Sequence, residues 1–393
     1  MAVRAGSRQR VLVLFVSGRY VLRVTTFTQQ IRGRGARSNR SGRYEAEERE
    51  PFDDGWTAED ELPDTIATTV SPERAKVIIT HNDSPDVGFS ASINPYRGCE
   101  HGCIYCYARP AHAYMGLSAG LDFETRLFFK PEAARLLERE LSRPRYAPEI
   151  IHVGGNTDPY QPQERKLRVT RQIIEVLERF EHPFSIITKS ALILRDLDLL
   201  APMAANRLVR VAISITTLDR KLARSMEPRA ATPERRLEAV RGLSDAGVPV
   251  VVMFAPCIPG LNDHEMESVL QRAAEAGAKG AGYVALRLPL EIKDLFEEWL
   301  ATDHPDRAAR VMSLVRQIRG GKTYDSQWGK RMKGEGPIAA LMSRRFAAAK
   351  QRYGLGAALP DLDLSRFRVP PRPGDQLELF ATSPDSPAGK VRD

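Results

Sequence analysis

Cysteine is scarce in this chain, and long apolar runs are missing. Four cysteines occur in 393 residues, three of them at 99, 103 and 106 and the fourth far away at 257. Secreted disulfide frameworks spread an even set of cysteines along a short chain. Three crowded into one loop instead suit metal ligation in a reducing compartment, so a cytoplasmic location is expected. No stretch approaches the roughly 18 apolar residues of a membrane span, so no membrane partner is expected. The run VLVLFV at 11–16 has six residues, Arg19 and Arg23 follow, and no small-residue cleavage site follows cleanly. It reads as part of an N-terminal extension rather than a leader. Acids are absent from positions 1–43, which carry ten arginines, whereas 45–64 carry ten acids against Arg49. Neither block has the apolar periodicity of a core element, so 1–75 is expected to be a poorly ordered basic-then-acidic extension.

What is present points to a substantial catalytic domain. A 42% apolar fraction supports a sizeable core, and the net charge of +8 favours an anionic partner without naming it. From about position 90, β-rich runs at 149–153, 184–188, 208–215, 248–255 and 281–286 alternate with helical spacing at 168–180, 195–204, 233–246 and 263–276. A short run at 91–93 begins the series. Strand–helix repetition of this kind means a parallel sheet covered by helices. Six units predict an α/β fold, a partial (β/α)6 TIM-type barrel over 76–290 with N- and C-terminal extensions; periodicity leaves doubly wound order open. Helical spacing resumes at 290–300, 305–319 and 336–352, giving a basic helical region over 291–353. The Pro- and Asp-rich remainder, 354–393, is expected to be a flexible tail.

The cysteines sit in Asn94-Pro95-Tyr96-Arg97-Gly98-Cys99-Glu100-His101-Gly102-Cys103-Ile104-Tyr105-Cys106-Tyr107, a C-x3-C-x2-C spacing. Thiolates are the soft ligands that iron–sulfur clusters require, and spacing this tight lets one loop ligate three of a cube's four irons. Gly98 and Gly102 relieve crowding of backbone against such a group. The fourth iron would be open, able to chelate an amino and a carboxylate group. The competing reading is structural zinc, which wants four protein ligands; only His101 and Cys257 could complete the set.

This segment resembles the signature of the radical S-adenosylmethionine (SAM) superfamily. Within it the chain is similar to the bacterial branch related to spore photoproduct lyase. The similarity spans roughly 31–353 and includes RGRGARSNRSGR, SINPYRGCEHGCIYCYARP, GLDFE, GGNTDPYQPQE, ITKS, RDLDLL, ISITTLD, MEPRAATPERRLEAV, APCIPGLND and LRLP. The resemblance implies a [4Fe–4S] cluster on Cys99, Cys103 and Cys106, and SAM as the second cofactor. Their reaction would yield a 5′-deoxyadenosyl radical, with the electron supplied by a donor such as flavodoxin or ferredoxin. It also implies the SAM contacts. The turn Gly154, Gly155, Asn156, Thr157, Asp158 stands where the family receives the methionine amino group, with Thr157 or Asp158 adding acceptors. Lys189 and Arg229 are candidates for the SAM carboxylate, and Glu227 is an alternative partner for Arg229. Ser214 and Thr216 are candidates for ribose or carboxylate, and Tyr105 and the segment 256–260 for packing on adenine.

The analogy to spore photoproduct lyase strains at the hydrogen-atom donor, a cysteine that enzyme places after its cluster loop. None lies between Cys106 and Cys257, and Cys257 reads as a small buried hydrophobe. Tyr107, Tyr114 and Tyr160 are the relay candidates, with nothing to select one. Arg287, closing the sixth strand, would meet an anionic substrate or an internal acid. Residues 306–352 hold twelve basic residues against three acids, with Tyr324 and Trp328 among them, and are expected to bind nucleic acid. In the tail, Gln376-Leu377-Glu378-Leu379-Phe380 resembles the Q-L-x-L-F peptide that docks bacterial repair proteins on the DNA sliding clamp. The expected function is radical SAM chemistry in DNA repair or nucleic-acid modification. Its rivals are a radical SAM maturase acting on protein or RNA, and a zinc-stabilised nucleic-acid-binding protein.

Overall fold

A computed structural model describes residues 11–16, 19–24, 31–45, 48–51 and 65–371. Its centre is a seven-stranded sheet: β1 (Ile79–His81), β2 (Ala91–Ile93), β3 (Ile151–Val153), β4 (Phe184–Thr188), β5 (Val209–Ser214), β6 (Val250–Cys257) and β7 (Gly280–Ala285). The strands lie side by side in chain order. Strands β2 to β7 are parallel, and β1 adds antiparallel to β2 at one edge. Sequential order excludes the doubly wound alternative, in which strand order reverses partway along the sheet. Six parallel strands with both edges distinct make the partial barrel that the repeats predict. The edge strand β1 has no forewarning in the apolar pattern, because only Ile79 of its three residues is buried.

Helices α1 (Ala133–Leu141), α2 (Val169–Arg179), α3 (Leu197–Ala205), α4 (Pro233–Asp245) and α5 (Met266–Glu275) cover the sheet. Local chemistry starts some of them sharply. Thr232 caps α4 through its hydroxyl, which accepts from the Arg235 N–H, and Pro233 occupies the first turn, where no donor is missed. The main core is formed by Ile151, Val153, Phe184, Ile186, Val209, Val211, Val250 and Val252 against Leu136, Ile173, Leu200, Leu243 and Leu270. Each such side chain contributes about 1.5–3 kcal/mol on burial.

A second core lies at the C-terminal ends of the strands. It joins Ile31, Ala36, Cys103, Ile104 and Tyr105 to Leu286 and Leu288, and to α6 (Ile292–Asp303) and α7 (Pro305–Gln317). Helix α8 (Gly336–Arg352) packs on α5 and β7.

Two sequence expectations change here. Residues 31–45, assigned to a poorly ordered extension, include the buried Ile31, Arg34, Ala36, Arg37 and Ser38, because this stretch caps the second core. Residues 354–371, assigned to the flexible tail, run back along the start of β5. Arg207 pairs with Asp363, Arg210 donates to the Pro360 carbonyl, and Phe367 stacks on Phe180. The strands Val11–Val16, Arg19–Val24 and Glu48–Pro51 form a separate small sheet. The clamp-like segment 376–380 lies outside the described residues. Among the described residues no helix is long and apolar enough to cross a membrane.

Candidate functional site

Between β2 and the short helix Leu121–Thr125 runs the cysteine loop, at the mouth where the parallel strands end. Much of the main chain of this loop is hydrogen-bonded. Cys99 N–H donates to the Phe123 carbonyl at 3.0 Å and Ile104 N–H to that of Met226 at 3.0 Å. The Gln161 side chain accepts from Glu100 N–H at 2.9 Å and donates to the Gly98 carbonyl at 3.2 Å. Arg109, fully buried, donates to the carbonyls of Cys103 at 2.8 Å and Gly102 at 3.1 Å. Gly98 and Gly102 take φ of +72° and +68°. A Cβ on Gly98 would come within 2.7–2.8 Å of Leu127, His112 and the Phe123 carbonyl. Only glycine makes that turn at this density.

Cys99 and Cys103 are buried and Cys106 is half-buried. Burial raises the Cys99 thiol, and so does the negative charge of Asp158. Burial, with Glu227 beside it, pushes Cys103 to about 12. Bare thiolates at these two positions are therefore disfavoured, and a strongly cationic group is needed to hold them ionised. The remaining candidates do not complete a zinc set. The His101 ring faces Asp158, 3.3 Å away, and Cys257 is buried in the main core with β6 and β7. Among the described residues no three His, Cys, Asp or Glu side chains converge as one ion requires. Three thiols on one loop, with no fourth protein ligand beside them among the described residues, fit a [4Fe–4S] cube with one open iron.

The other sequence candidates gather around the same mouth. The Gly154–Gly155 turn follows β3, with Gly154 at φ +93° and the Gly155 carbonyl accepting from the Tyr107 hydroxyl. Asn156 N–H donates to the Asn94 side chain at 2.7 Å. Asp158 is already engaged as an acceptor, whereas the Thr157 hydroxyl is held through its donor side. Thr157 donates to the Tyr96 carbonyl at 3.1 Å, and Asp158 accepts from Thr188 at 2.6 Å and from Lys189 N–H at 2.7 Å. Burial alone would raise the Asp158 carboxyl, but His101 and these donors hold it at about 2. Both residues secure the turn.

Lys189, at the end of β4, places its ammonium 5.8 Å from the centre of the Tyr105 ring. Ser214 ends β5, its hydroxyl donating to the Ala255 carbonyl at 3.2 Å. Arg229 does not pair with Glu227. It lies 3.0 Å from Glu100, while Glu227 is buried with Arg236 and accepts from Thr216 at 2.6 Å and from the Tyr105 hydroxyl. Burial opposes the Glu227 charge, yet Arg236 and Lys189 hold its carboxyl at about 2. The sequence reading missed Arg236 and Arg109, whose partners lie nine and fifteen positions away, beyond any helical spacing.

Among the described residues Arg287 has no carboxylate partner within ion-pair distance. Its guanidinium lies 4.9 Å over the Tyr107 ring and 3.6 Å from the Met332 sulfur, and its Nε is buried without a hydrogen bond. Of the three tyrosines, Tyr107 is 45% exposed beside the cysteine loop. Tyr160 is sealed against Asp196, and Tyr114 stacks on Tyr44.

Comparison with known proteins agrees with this geometry. Residues 93–273 match the family model described as the Radical SAM superfamily. The uncharacterized protein Rv2578c of Mycobacterium tuberculosis is 38% identical over 231 residues, 58% of this chain and 68% of that protein. The uncharacterized protein MJ0683 of Methanocaldococcus jannaschii is 28% identical over 173 residues, 44% of this chain and 62% of that protein. A spore photoproduct lyase variant with bound AdoMet and dinucleoside spore photoproduct superposes with a TM-score of 0.52 at 16% identity. That match covers 72% of this chain and 78% of the other, and at this identity the likeness is one of fold. The chain belongs to the radical SAM superfamily.

Proposed function

We propose that Cys99, Cys103 and Cys106 hold a [4Fe–4S] cluster, that SAM binds at its open iron, and that the substrate is a nucleic acid. The observation that carries the cofactor reading is the trio of thiols on one fixed loop at the barrel mouth, with no fourth ligand beside them among the described residues. When bound, the reduced cluster supplies the electron that splits SAM into methionine and a 5′-deoxyadenosyl radical able to abstract a hydrogen atom. The protein's part is orientation and exclusion of water. Lys189 offers a cation to the SAM carboxylate, the main chain of Gly154 and Gly155 approaches the amino group, and Tyr105 gives a flat apolar wall. Tyr105 is itself fixed by Glu227 and by Thr216 at 3.3 Å.

The substrate reading rests on charge and shape around that mouth. Arg287 is a cation awaiting an anion, and a buried guanidinium nitrogen left unpaired is costly unless a ligand meets it. Trp328, 53% exposed, stands on the loop that also brings Met332 to Arg287. Similarity of fold to an enzyme solved with a dinucleoside spore photoproduct supports the same class.

Anaerobic reconstitution tests the cofactors: about four irons per chain and reductive SAM cleavage are expected, whereas a colourless protein holding one zinc would refute them. Product analysis after incubation with irradiated DNA, bulk RNA and lysate protein tests the substrate. Modification confined to protein would assign a maturase instead.

A further inference from the structure

We propose that residues 31–45 are a strap that holds the cysteine loop in its ligating shape, with Gly35 and Glu124 as positioning residues. This rests on reading the three cysteines as cluster ligands. The strap lies against the loop main chain to main chain. A Cβ on Gly35 would sit 1.9 Å from the Gly102 carbonyl oxygen, and one on Gly120 would sit 2.1 Å from that of Ser38. No side chain fits between strap and loop at either crossing.

Glu124 joins the two. Its carboxylate, fully buried, accepts from Gly35 N–H at 2.9 Å and Ala36 N–H at 2.8 Å, and pairs with Arg109. Arg109 in turn holds the carbonyls of Gly102 and Cys103. Arg34, also buried, donates to the Glu124 carbonyl at 2.9 Å and to Thr68, whose hydroxyl donates to Glu100 of the loop at 2.6 Å. The outer side of the strap is moored to α6, with Arg37 2.7 Å from Asp303 and Ser38 2.7 Å from Glu298. One carboxylate thus couples the strap to the two residues preceding and forming the second ligand. A buried charge network of this kind holds its geometry only while every partner is present.

Gly35→Ala tests the strap, and Gly277→Ala is the control. The control's Cβ meets the Ser244 hydroxyl at 2.3 Å at φ +99°, in the turn before β7. Both substitutions should lower the unfolding midpoint. Only Gly35→Ala should lose iron, from about four per chain to below about one, and alter the EPR spectrum of the reduced protein with SAM. A second readout needs no cluster: native alkylation of apo-protein, followed by peptide mass spectrometry. Gly35→Ala should expose Cys103 to labelling about tenfold faster than in the wild type, with the control near the wild-type rate. Should Gly35→Ala not fold, Glu124→Gln, which keeps the shape and removes the charge, carries the same expectations. Equal iron loss in both glycine variants, or Cys103 labelling unchanged in Gly35→Ala, would overturn the strap. A wild-type chain that takes up no iron while Gly35→Ala still accelerates labelling would refute the ligand reading and leave the strap standing.

Discussion

Glu227 and Arg236 are both buried, so removing either leaves the other's charge without its partner at a cost of about 3–5 kcal/mol. Glu227→Gln should therefore lower the unfolding free energy at neutral pH by that order. Its carboxyl titrates at about 2 in the fold against an ordinary 4.5. The carboxylate's stabilisation is thus fully present above pH 4.5 and lost as pH falls through about 2. The variant should flatten that acid limb in a denaturant series between these pH values, and an unchanged limb would mean that Arg236 does not hold this carboxylate. On the proposed cluster reading, alanine at Cys99, Cys103 or Cys106 should abolish SAM cleavage, since each thiolate would fix one iron. Cys257→Ala should keep the full iron content and cost only about 1 kcal/mol of packing; halved iron would make Cys257 a ligand. Arg287→Gln should raise KM for a nucleic-acid substrate about tenfold or more, the worth of one charge-assisted hydrogen bond, with a smaller effect on kcat. An unchanged KM would return Arg287 to a packing role on Tyr107.

The elements were readable where apolar periodicity alone decides them. The expected runs at 184–188, 208–215 and 281–286 became Phe184–Thr188, Val209–Ser214 and Gly280–Ala285, because buried parallel strands are nearly continuous apolar runs. The strap was not readable, since its burial depends on Gly35 and Gly42 meeting main chain at 102 and 117 and on Arg34 meeting the carbonyls of Glu124 and Ile66, contacts that exist only in the fold. The same holds for 354–371, where Pro and Asp suggest a tail but Arg207 and Arg210 supply the anchors. The cysteine spacing gave the candidate site its centre, while the Glu124–Arg109 and Glu227–Arg236 pairs that brace it exist only through tertiary packing. The turn after β3 offers a direct test at this scale. A Cβ on Gly154 would lie 2.6 Å from Pro159 at φ +93°, so Gly154→Ala must distort the turn. SAM affinity, measured by equilibrium dialysis on reconstituted protein, should fall about tenfold or more while iron content holds. Affinity equal to the wild type would remove this turn from the SAM contacts.

Across the whole molecule, the charge that matters is the charge left unpaired. Of the twelve basic residues in 306–352, Arg319 is buried on main-chain carbonyls, Lys330 pairs with Glu335, Arg331 with Asp86, and Arg345 with Asp263 and Glu267. The other eight make no ion pair within the described residues. The Arg331–Asp86 pair ties the loop before α8, itself bonded to β7 through Met332, to the turn between β1 and β2, so it links segments beside the two edges of the open sheet. Arg331 is thus a structural tie, and the cations available to phosphate include Arg310, Lys322 and Lys333. Contacts to phosphate release counterions, and log K then falls linearly with log salt, by about 0.7–0.9 per contact. If six or more of these cations engage, affinity for an oligonucleotide should drop by at least about 10³-fold between about 50 and 200 mM salt. Replacing Arg310, Lys322 and Lys333 together by Gln should make that slope shallower by about 2–3, because three contacts are removed. Trp328→Ala should instead weaken binding at every salt concentration and leave the slope alone, since stacking releases no ions. Fluorescence anisotropy across a salt series separates the two. A slope unchanged in the triple variant would place the nucleic acid elsewhere on the chain, and a slope near zero in the wild type would argue against a polyanionic substrate altogether.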